Sequence, residues 1–171
     1  MKRFTATKSK RGQSIVELAI TIPFILMLII GATEVVLAGR TYLALLEASV
    51  VSSRLASAGE VFYDNNEILT LTNQVLSQEG LAPNGLIDVI ITRADLVDGT
   101  SVQNYQVANM LGSGQPSQIS QAFLLDRINP GDPSVRVIGV EIVFNHHLLL
   151  KGARFLPDPL VLRALTLNAV P

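Results

Sequence analysis

Gly12 and Glu17 are the two residues whose types and spacing most strongly suggest chemistry in this sequence. Glu17 stands just inside a long apolar segment, where a carboxylate is costly because lipid solvates charge poorly. Arg11 is six residues away, off the three- or four-residue spacing at which side chains of one helix meet. Cutting the backbone after Gly12 would give Gln13 a free ammonium group. Glu17 of a neighbouring copy, offset along the helix axis, could then pair with that ammonium group.

A basic leader precedes these two residues and an uncharged run follows them. The first 12 residues, MKRFTATKSKRG, contain five cations and no acidic residue. Residues 18–33 are uncharged, and the wider stretch 15–39 contains 25 residues. As an α-helix that stretch is about 37 Å long, against a hydrocarbon core of about 30 Å. The positive-inside rule predicts one membrane crossing with a cytoplasmic N-terminus and an extracytoplasmic chain after Arg40.

Composition narrows the possible classes of protein. Of the 171 residues, 49% are hydrophobic and 16% are charged, with a formal net charge of −1. Basic residues cluster only at the N-terminus, which argues against nucleic acid as a partner because phosphate binding needs a concentrated positive surface. The sequence contains no Cys, so disulfides, thiolate nucleophiles and Cys-based zinc sites are excluded.

Two other interpretations of the N-terminal segment are open. A secretory signal peptide has an apolar region of about 7–15 residues before a small-residue cleavage site, and Ala56-Ser57-Ala58 superficially suits such a site. A plain single-span anchor needs only the apolar run. In that case Gly12 marks a flexible entry to the membrane and Glu17 is an interfacial carboxylate with no role in assembly.

The segment around these two residues resembles the type IV prepilin N-terminus, which has a basic leader, a Gly, four residues, a Glu and an apolar helix. More narrowly, residues 11–58 resemble TadE-like pseudopilins of the tight-adherence (Flp pilus) system. Their segment has a Gly, a Glu, an apolar run with an early Pro, and a second Glu, matched in order by Gly12, Glu17, Pro23 and Glu34. Leu18 departs from the aromatic residue usual after the first Glu, and residues 135–171 are similar only in style to the family's closing strands.

The resemblance implies a function and a set of partners. A prepilin peptidase would cut between Gly12 and Gln13, so the chain is a substrate and not a catalyst, and Glu17 would serve assembly. The protein would be a minor pseudopilin, a structural or assembly component of a tight-adherence pilus or a related secretion machine. Its partners would be other pilins or pseudopilins, inner-membrane assembly proteins and the lipid bilayer, in the bacterial cytoplasmic (inner) membrane.

A second class of function requires fewer features of the sequence than a pseudopilin does. A single-pass, membrane-anchored extracytoplasmic binding module that never joins a pilus requires only the anchor and an outer domain. The two classes differ in what they expect of Glu17, because only assembly into a pilus gives its carboxylate a task.

One helix is predicted from about residue 14 to residue 58, since good helix formers continue to Gly59. Pro23 removes one backbone hydrogen bond and predicts a kink. Glu34 is expected at the outer interface beside Arg40. Small residues recur at every fourth position and allow close packing of another element: Ala44, Ala48, Ser52 and Ala56. We favour packing of these four residues against the chain's own domain over packing against another molecule.

The sequence as a whole predicts an α+β fold. Its expected parts are a leader at 1–12, a transmembrane and extended helix at 13–58 and an extracytoplasmic domain at 59–171. The patterns predict helices at about 66–78 and 119–128 and a loop at 112–118. Alternating apolar residues predict strands at 86–96, 134–145 and 160–170. We therefore expect an antiparallel sheet of about three strands with short helices.

Catalytic and metal-binding motifs are not found in the sequence. It contains no G-x-S-x-G, P-loop, G-x-G-x-x-G or H-E-x-x-H pattern. His146 and His147 are adjacent on a predicted strand, so their side chains point to opposite faces and are not expected to share a metal ion. We predict a protein that is not an enzyme, with no catalytic residue, metal site or cofactor.

Overall fold

A computed structural model describes residues 10–58, 64–81, 83–127, 131–149 and 158–170, with side chains described from Ser14 onward. Most of the predicted leader, and Gly59 at the predicted helix end, lie outside the described residues. The chain divides into two compact units, Met1–Leu37 and Ala38–Pro171. The boundary between the units falls within the first helix.

The first helix, α1, is a single 48-residue element, Lys10–Ser57. Its ends agree with the predicted long helix to within a few residues, and Pro23 lies inside it. Among the described residues, this is the one helix long and apolar enough to span a membrane, and its most apolar 18-residue window has a mean hydropathy of 2.5. The rest of the fold is built in the second unit.

A four-stranded antiparallel sheet forms the centre of the second unit, in the order β2-β1-β3-β4. The strands are β1, Leu86–Val97; β2, Ser101–Asn109; β3, Val135–His146; and β4, Leu160–Val170. Two α-helices accompany the sheet, α2 at Asn65–Gln78 and α3 at Gln121–Leu125, with a short 3₁₀ turn at Pro83–Gly85. The α+β class and the three predicted strands are confirmed.

The predicted number of about three strands is wrong, because β2 was missed. Its sequence, SVQNYQVAN, lacks the apolar alternation typical of a half-buried strand. The strand lies at the edge of the sheet, where its side chains are exposed or only partly buried. In the pairing of β2 with β1, Ile90 lies opposite Asn109 and Val97 lies opposite Ser101. The tight turn between the two strands, rather than a hydrophobic pattern, therefore sets the position of β2.

Two hydrophobic cores cover the two faces of the sheet. The first joins α1 and α2 to the sheet and includes Leu45, Ile68, Ile91, Ile138, Val140 and Ile142. The second lies on the other face and includes Leu96, Ile119, Leu124 and Val137. Residues 137–144 of β3 are all buried, so both faces of this strand are covered. The segment that follows β2 supplies the second cover.

The second half of α1 runs alongside β4 and contacts the sheet through small residues. Ala48, Ser52 and Ala56 have no exposed surface. Ser49 Oγ lies 2.6 Å from Thr166 Oγ1 on β4, and Ser52 Oγ lies 2.8 Å from Thr72 Oγ1 on α2. Short side chains on α1 thus contact both β4 and α2, and their hydroxyls are satisfied across these contacts.

Replacing Ala48 with Leu tests this close contact. The larger side chain has no space between helix and sheet, so we expect Ala48→Leu to lower the free energy of unfolding by about 1–3 kcal/mol. Denaturant unfolding of the full chain in detergent micelles, followed by circular dichroism, measures the change. Leu43→Ala, on the exposed side of the same helix, is the control and should change little; equal effects of the two substitutions would contradict the packing described.

Candidate assembly site on the N-terminal helix

The first half of α1 is a continuous exposed apolar surface. Every side chain of residues 14–29 is exposed, and this stretch includes eleven large apolar residues: Ile15, Val16, Leu18, Ile20, Ile22, Phe24, Ile25, Leu26, Met27, Leu28 and Ile29. Exposed apolar surface of this extent indicates contact with lipid or with other protein rather than with water. The surface surrounds the helix instead of forming one stripe, as in helices that cross membranes.

Two threonine hydroxyls, one inside this stretch and one four residues beyond it, are satisfied by the helix itself. Thr21 Oγ1 donates to the backbone carbonyl of Glu17 at 2.7 Å. Thr33 Oγ1 donates to the carbonyl of Ile29 at 2.9 Å. A hydroxyl bonded in this way needs no water, so neither threonine opposes insertion into a bilayer.

Gly12, Gln13 and Glu17 lie at the start of this surface. The Gly12–Gln13 peptide bond is in the first turn of α1, which begins at Lys10; the side chains of residues 10–13 are outside the described part. The first N–H groups of a helix have no carbonyl partner within it, so this turn opens more easily than any turn in the helix interior. Glu17 is exposed one turn further along.

Glu34 differs from Glu17 in its surroundings. The Glu34 side chain is buried, with 5% of its surface exposed, whereas Arg40 is exposed; the predicted place of Glu34 at the outer membrane interface stays a prediction. Glu34 precedes the buried Thr41 by seven residues, or two helical turns, and therefore lies on the same face of α1.

The four small residues singled out from the sequence contact the chain's own domain. Ala44 is 5% exposed, and Ala48, Ser52 and Ala56 are fully buried. Ala48 and Ala56 belong to the core shared with the sheet. The four side chains therefore have almost no surface available to a second molecule.

Two buried carboxylates that the sequence analysis did not single out attach the segment after β2 to the sheet. Asp88 Oδ1 accepts hydrogen bonds from the backbone N–H groups of Val89 and Leu111, both at 2.9 Å. Asp88 Oδ2 accepts from Ser113, through both its N–H and its hydroxyl, and from Asn109 Nδ2. One carboxylate thus fixes the chain where it leaves β2.

Glu141 fixes the other end of this segment. Its carboxylate is fully buried in β3. It accepts hydrogen bonds from the Ser117 hydroxyl and from the backbone N–H groups of Gln118, at 3.0 Å, and Ile119, at 3.3 Å. Arg163 Nη1 lies 3.6 Å from Glu141 Oε2 and also donates to the carbonyl of Pro116. The predicted loop at 112–118 is irregular in backbone but fastened at both ends.

The pKa of Asp88 is lowered in the folded protein. Burial by itself raises the pKa of this carboxyl, but hydrogen bonds from the Ser113 side chain, the Leu111 backbone and the Asn109 side chain outweigh burial and bring it below the ordinary value of 3.8. Burial also raises the pKa of Tyr105, and the negative charge of Glu141 raises it further. Tyr105 remains a phenol, and its hydroxyl donates to the carbonyl of Ile119 at 2.6 Å.

A single acidic residue within an apolar strand was the available signal for both carboxylates, in LIDVII for Asp88 and GVEIVF for Glu141. Both side chains accept hydrogen bonds from backbone groups and hold a loop in place. Each carboxylate therefore has a structural role, because the N–H and O–H groups around it already donate hydrogen bonds to its oxygens.

The two histidines have different partners. His146 Nδ1 lies 3.1 Å from Thr41 Oγ1, and His147 Nδ1 lies 3.6 Å from Asp158 Oδ1. Within the parts of the chain that the structure describes, no group of three or more His, Asp or Glu side chains converges on a point that could hold a metal ion.

Comparison with known proteins gives no further guide to the site. No protein-family model, no curated protein and no solved structure matches this chain.

Replacing Asp88 with Asn tests the attachment of the loop. An amide offers one acceptor oxygen and places an NH₂ group against backbone donors, so we expect Asp88→Asn to lower the free energy of unfolding by about 1–3 kcal/mol at neutral pH. Because the folded-state pKa of Asp88 is lowered, its contribution is complete above the unfolded-state pKa and is lost as pH falls through the folded-state pKa.

The difference in stability between wild type and Asp88→Asn should therefore be largest near neutral pH and shrink below about pH 4. Denaturant unfolding of the full chain in micelles across this pH range measures it. Asp126→Asn, at an exposed position after α3, is the matched control and should leave stability unchanged. A pH-independent difference for Asp88→Asn would contradict the role given to its charge.

Proposed function

We propose that this chain is a TadE-like minor pseudopilin, a structural or assembly component of a tight-adherence pilus or a related secretion machine. In this proposal the first half of α1 crosses the bacterial cytoplasmic membrane with the leader inside. The second unit is the extracytoplasmic domain. A prepilin peptidase removes the leader by cutting between Gly12 and Gln13.

The observation that carries the proposal is the exposed apolar surface of residues 14–29, with the Gly12–Glu17 spacing at its start. The surface is uncovered while the second half of the same helix is committed to the chain's own sheet. A helix divided in this way can pack laterally against other apolar helices through its first half without disturbing the domain built on its second half.

Cleavage supplies the electrostatic reason for a carboxylate at position 17. Removing residues 1–12 deletes five cations, leaving eight basic and fourteen acidic side chains and a side-chain net charge of −6. The new ammonium group on Gln13 is then the cation closest in sequence to Glu17. An ion pair between Gln13 of one subunit and Glu17 of its neighbour gains strength in a low-dielectric surrounding and fixes the axial offset between the two helices.

Substitution of Glu17 tests the proposal. Glu17→Ala removes the carboxylate, so we expect loss of assembly or of the machine's activity in the native host, with normal insertion and a folded domain. Glu17→Gln keeps the shape without the charge and should fail in the same way. Glu47→Ala, an exposed glutamate in the second half of α1, is the matched control and should assemble normally.

The opposite result would favour the second class of function. If Glu17→Ala and Glu47→Ala both assemble and function as wild type does, the carboxylate has no task in assembly. A membrane-anchored binding module would then account for the chain better than a pseudopilin.

A further inference from the structure

The outer edge of β2 has neither charge nor proline to prevent it from pairing with another strand. Among the described residues, β2 pairs with β1 alone, so its other side is a free edge of the sheet. Natural edge strands are commonly protected by charged side chains or by proline. Residues 99–125, which include the whole of β2, contain no Asp, Glu, Lys, Arg or His, and β2 contains no Pro. The main-chain donors and acceptors on this edge are therefore open to another extended strand.

A β-bulge in β2 decides which of its side chains share a face. Between Arg93 and Asp95 of β1, the opposite residue changes from Gln106 to Gln103, so β2 carries one extra residue at this point. Asn104 lies at the bulge with a φ of 49°, and its Nδ2 donates to Asp95 Oδ2 at 2.6 Å. The two β1 residues are alternate positions of a strand and lie on one face, so Gln103 and Gln106 share a face too. In a regular strand, residues an odd number of positions apart lie on opposite faces.

The same bulge brings two valines together on the other face. Val102 lies opposite Leu96, and Val107 lies opposite Thr92. Leu96 belongs to the second core, against which Val102 packs. Thr92 is an even number of positions from Leu96 and shares its face. Val107 has 39% of its surface exposed and Val102 is partly buried. On each side of the bulge, β2 therefore presents one Val on one face and one Gln on the other.

Both valines also direct their main-chain groups to the free edge. The N–H of Met110 donates to the carbonyl of Val89 at 3.0 Å, which makes Ile90–Asn109 a non-hydrogen-bonded pair. Every second residue along β1 forms a pair of this kind. Val107 and Val102 belong to such pairs, because their β1 partners lie two and six residues beyond that pair. Their N–H and C=O groups therefore point away from β1.

We infer that β2 is a self-complementary edge at which two copies of this chain join by antiparallel pairing. Residues 102–107, VQNYQV, have the same two outer residues from either end. In a two-fold pair centred on this segment, Val102 of one copy lies opposite Val107 of the other. Gln103 lies opposite Gln106 in the same way. Opposite residues of an antiparallel pair share a face, and the bulge allows both matches to meet this condition.

A second copy fits this edge better than an unrelated strand does. A two-fold contact repeats each match, so the interface contains two Val pairs and two Gln pairs. Both members of each Val pair direct their N–H and C=O groups to the interface, so each pair exchanges two main-chain hydrogen bonds. With no charged side chain on either strand, pairing buries no unpaired charge. The inference concerns the second unit alone and does not depend on the proposed function.

The direction of α1 determines how two paired copies are arranged. Thr41 contacts His146, which lies opposite the first residue of β4, and Ser53 contacts Asn168 near the end of β4. The second half of α1 therefore follows the direction of β4. Antiparallel pairing at β2 sets the second halves of α1 in the two copies in opposite directions. Detergent micelles leave the copies free to take this orientation and are the medium for the test.

Disulfide trapping tests the pairing, because the sequence contains no Cys of its own. Full chains with Val102→Cys alone and with Val107→Cys alone carry different tags, are mixed in micelles and are oxidised with copper phenanthroline. The two-fold pair places residue 102 of one copy against residue 107 of the other, so we expect a disulfide dimer from the mixture only. In either variant alone, the two thiols are about 15 Å apart along the strands and should not join. Leu125→Cys, an exposed position on α3, mixed with Val107→Cys is the control for chance encounters.

Charged side chains at the two glutamine positions test the same register without Cys. Both glutamines are exposed, so the fold tolerates the changes. We expect light scattering in micelles to give a dimer mass for wild type. Gln103→Lys combined with Gln106→Lys places like charges opposite each other, so the dimer should be lost. Gln103→Lys combined with Gln106→Glu places opposite charges there and should retain the dimer. Circular dichroism verifies that each variant remains folded.

Three results would overturn the inference. The first is the absence of a dimer from the Cys mixture, or equal dimer formation by each Cys variant alone. The second is equal masses for the two charge variants. The third is a disulfide dimer between Val107→Cys and Val161→Cys chains, which would show that β2 of one copy pairs with β4 of the next.

Discussion

The contact between the small residues of α1 and the sheet is the constraint on which the rest of the structure depends. Ala48, Ser52 and Ala56 are fully buried, and the hydroxyls of Ser49 and Ser52 pair with Thr166 on β4 and Thr72 on α2. This contact divides one continuous helix into a half that belongs to the domain and a half that does not. The apolar surface of residues 14–29 is available to lipid or to other helices for that reason.

The two faces of the sheet are closed by different means. On one face, α1 and α2 provide a conventional apolar layer. On the other face, a largely irregular segment covers the sheet, and Asp88 and Glu141 replace the backbone hydrogen bonds that a helix or strand would have made. A buried carboxylate is stable in such a place because several N–H and O–H donors converge on it. Within the part of the chain that the structure describes, the domain thereby maintains two cores with one layer of long helices.

Much of the architecture could be predicted from the sequence, for identifiable reasons. The uncharged run and the helix formers up to residue 58 predict α1, and alternation in residues 134–145 and 160–170 predicts two strands. The edge strand β2 was not predictable from periodicity, because its polar side chains face solvent. The burial of Glu34, and the hydrogen bonds by which Asp88 and Glu141 hold the loop, depend on which elements pack together in the fold. The spacing of residues along the sequence does not contain that information. Gly12 and Glu17 were singled out from motif and context, and their roles stay predictions.

If the protein is a pseudopilin, its mature form begins at a new amino terminus. The proposed role of Glu17 follows from this claim, because Glu17 pairs with the ammonium group at that terminus. Intact-mass measurement of the protein purified from its native membrane tests the claim most directly. The account predicts a species that lacks residues 1–12 and begins at Gln13. A species that retains Met1 and the whole basic leader, in cells with an active prepilin peptidase, would contradict it.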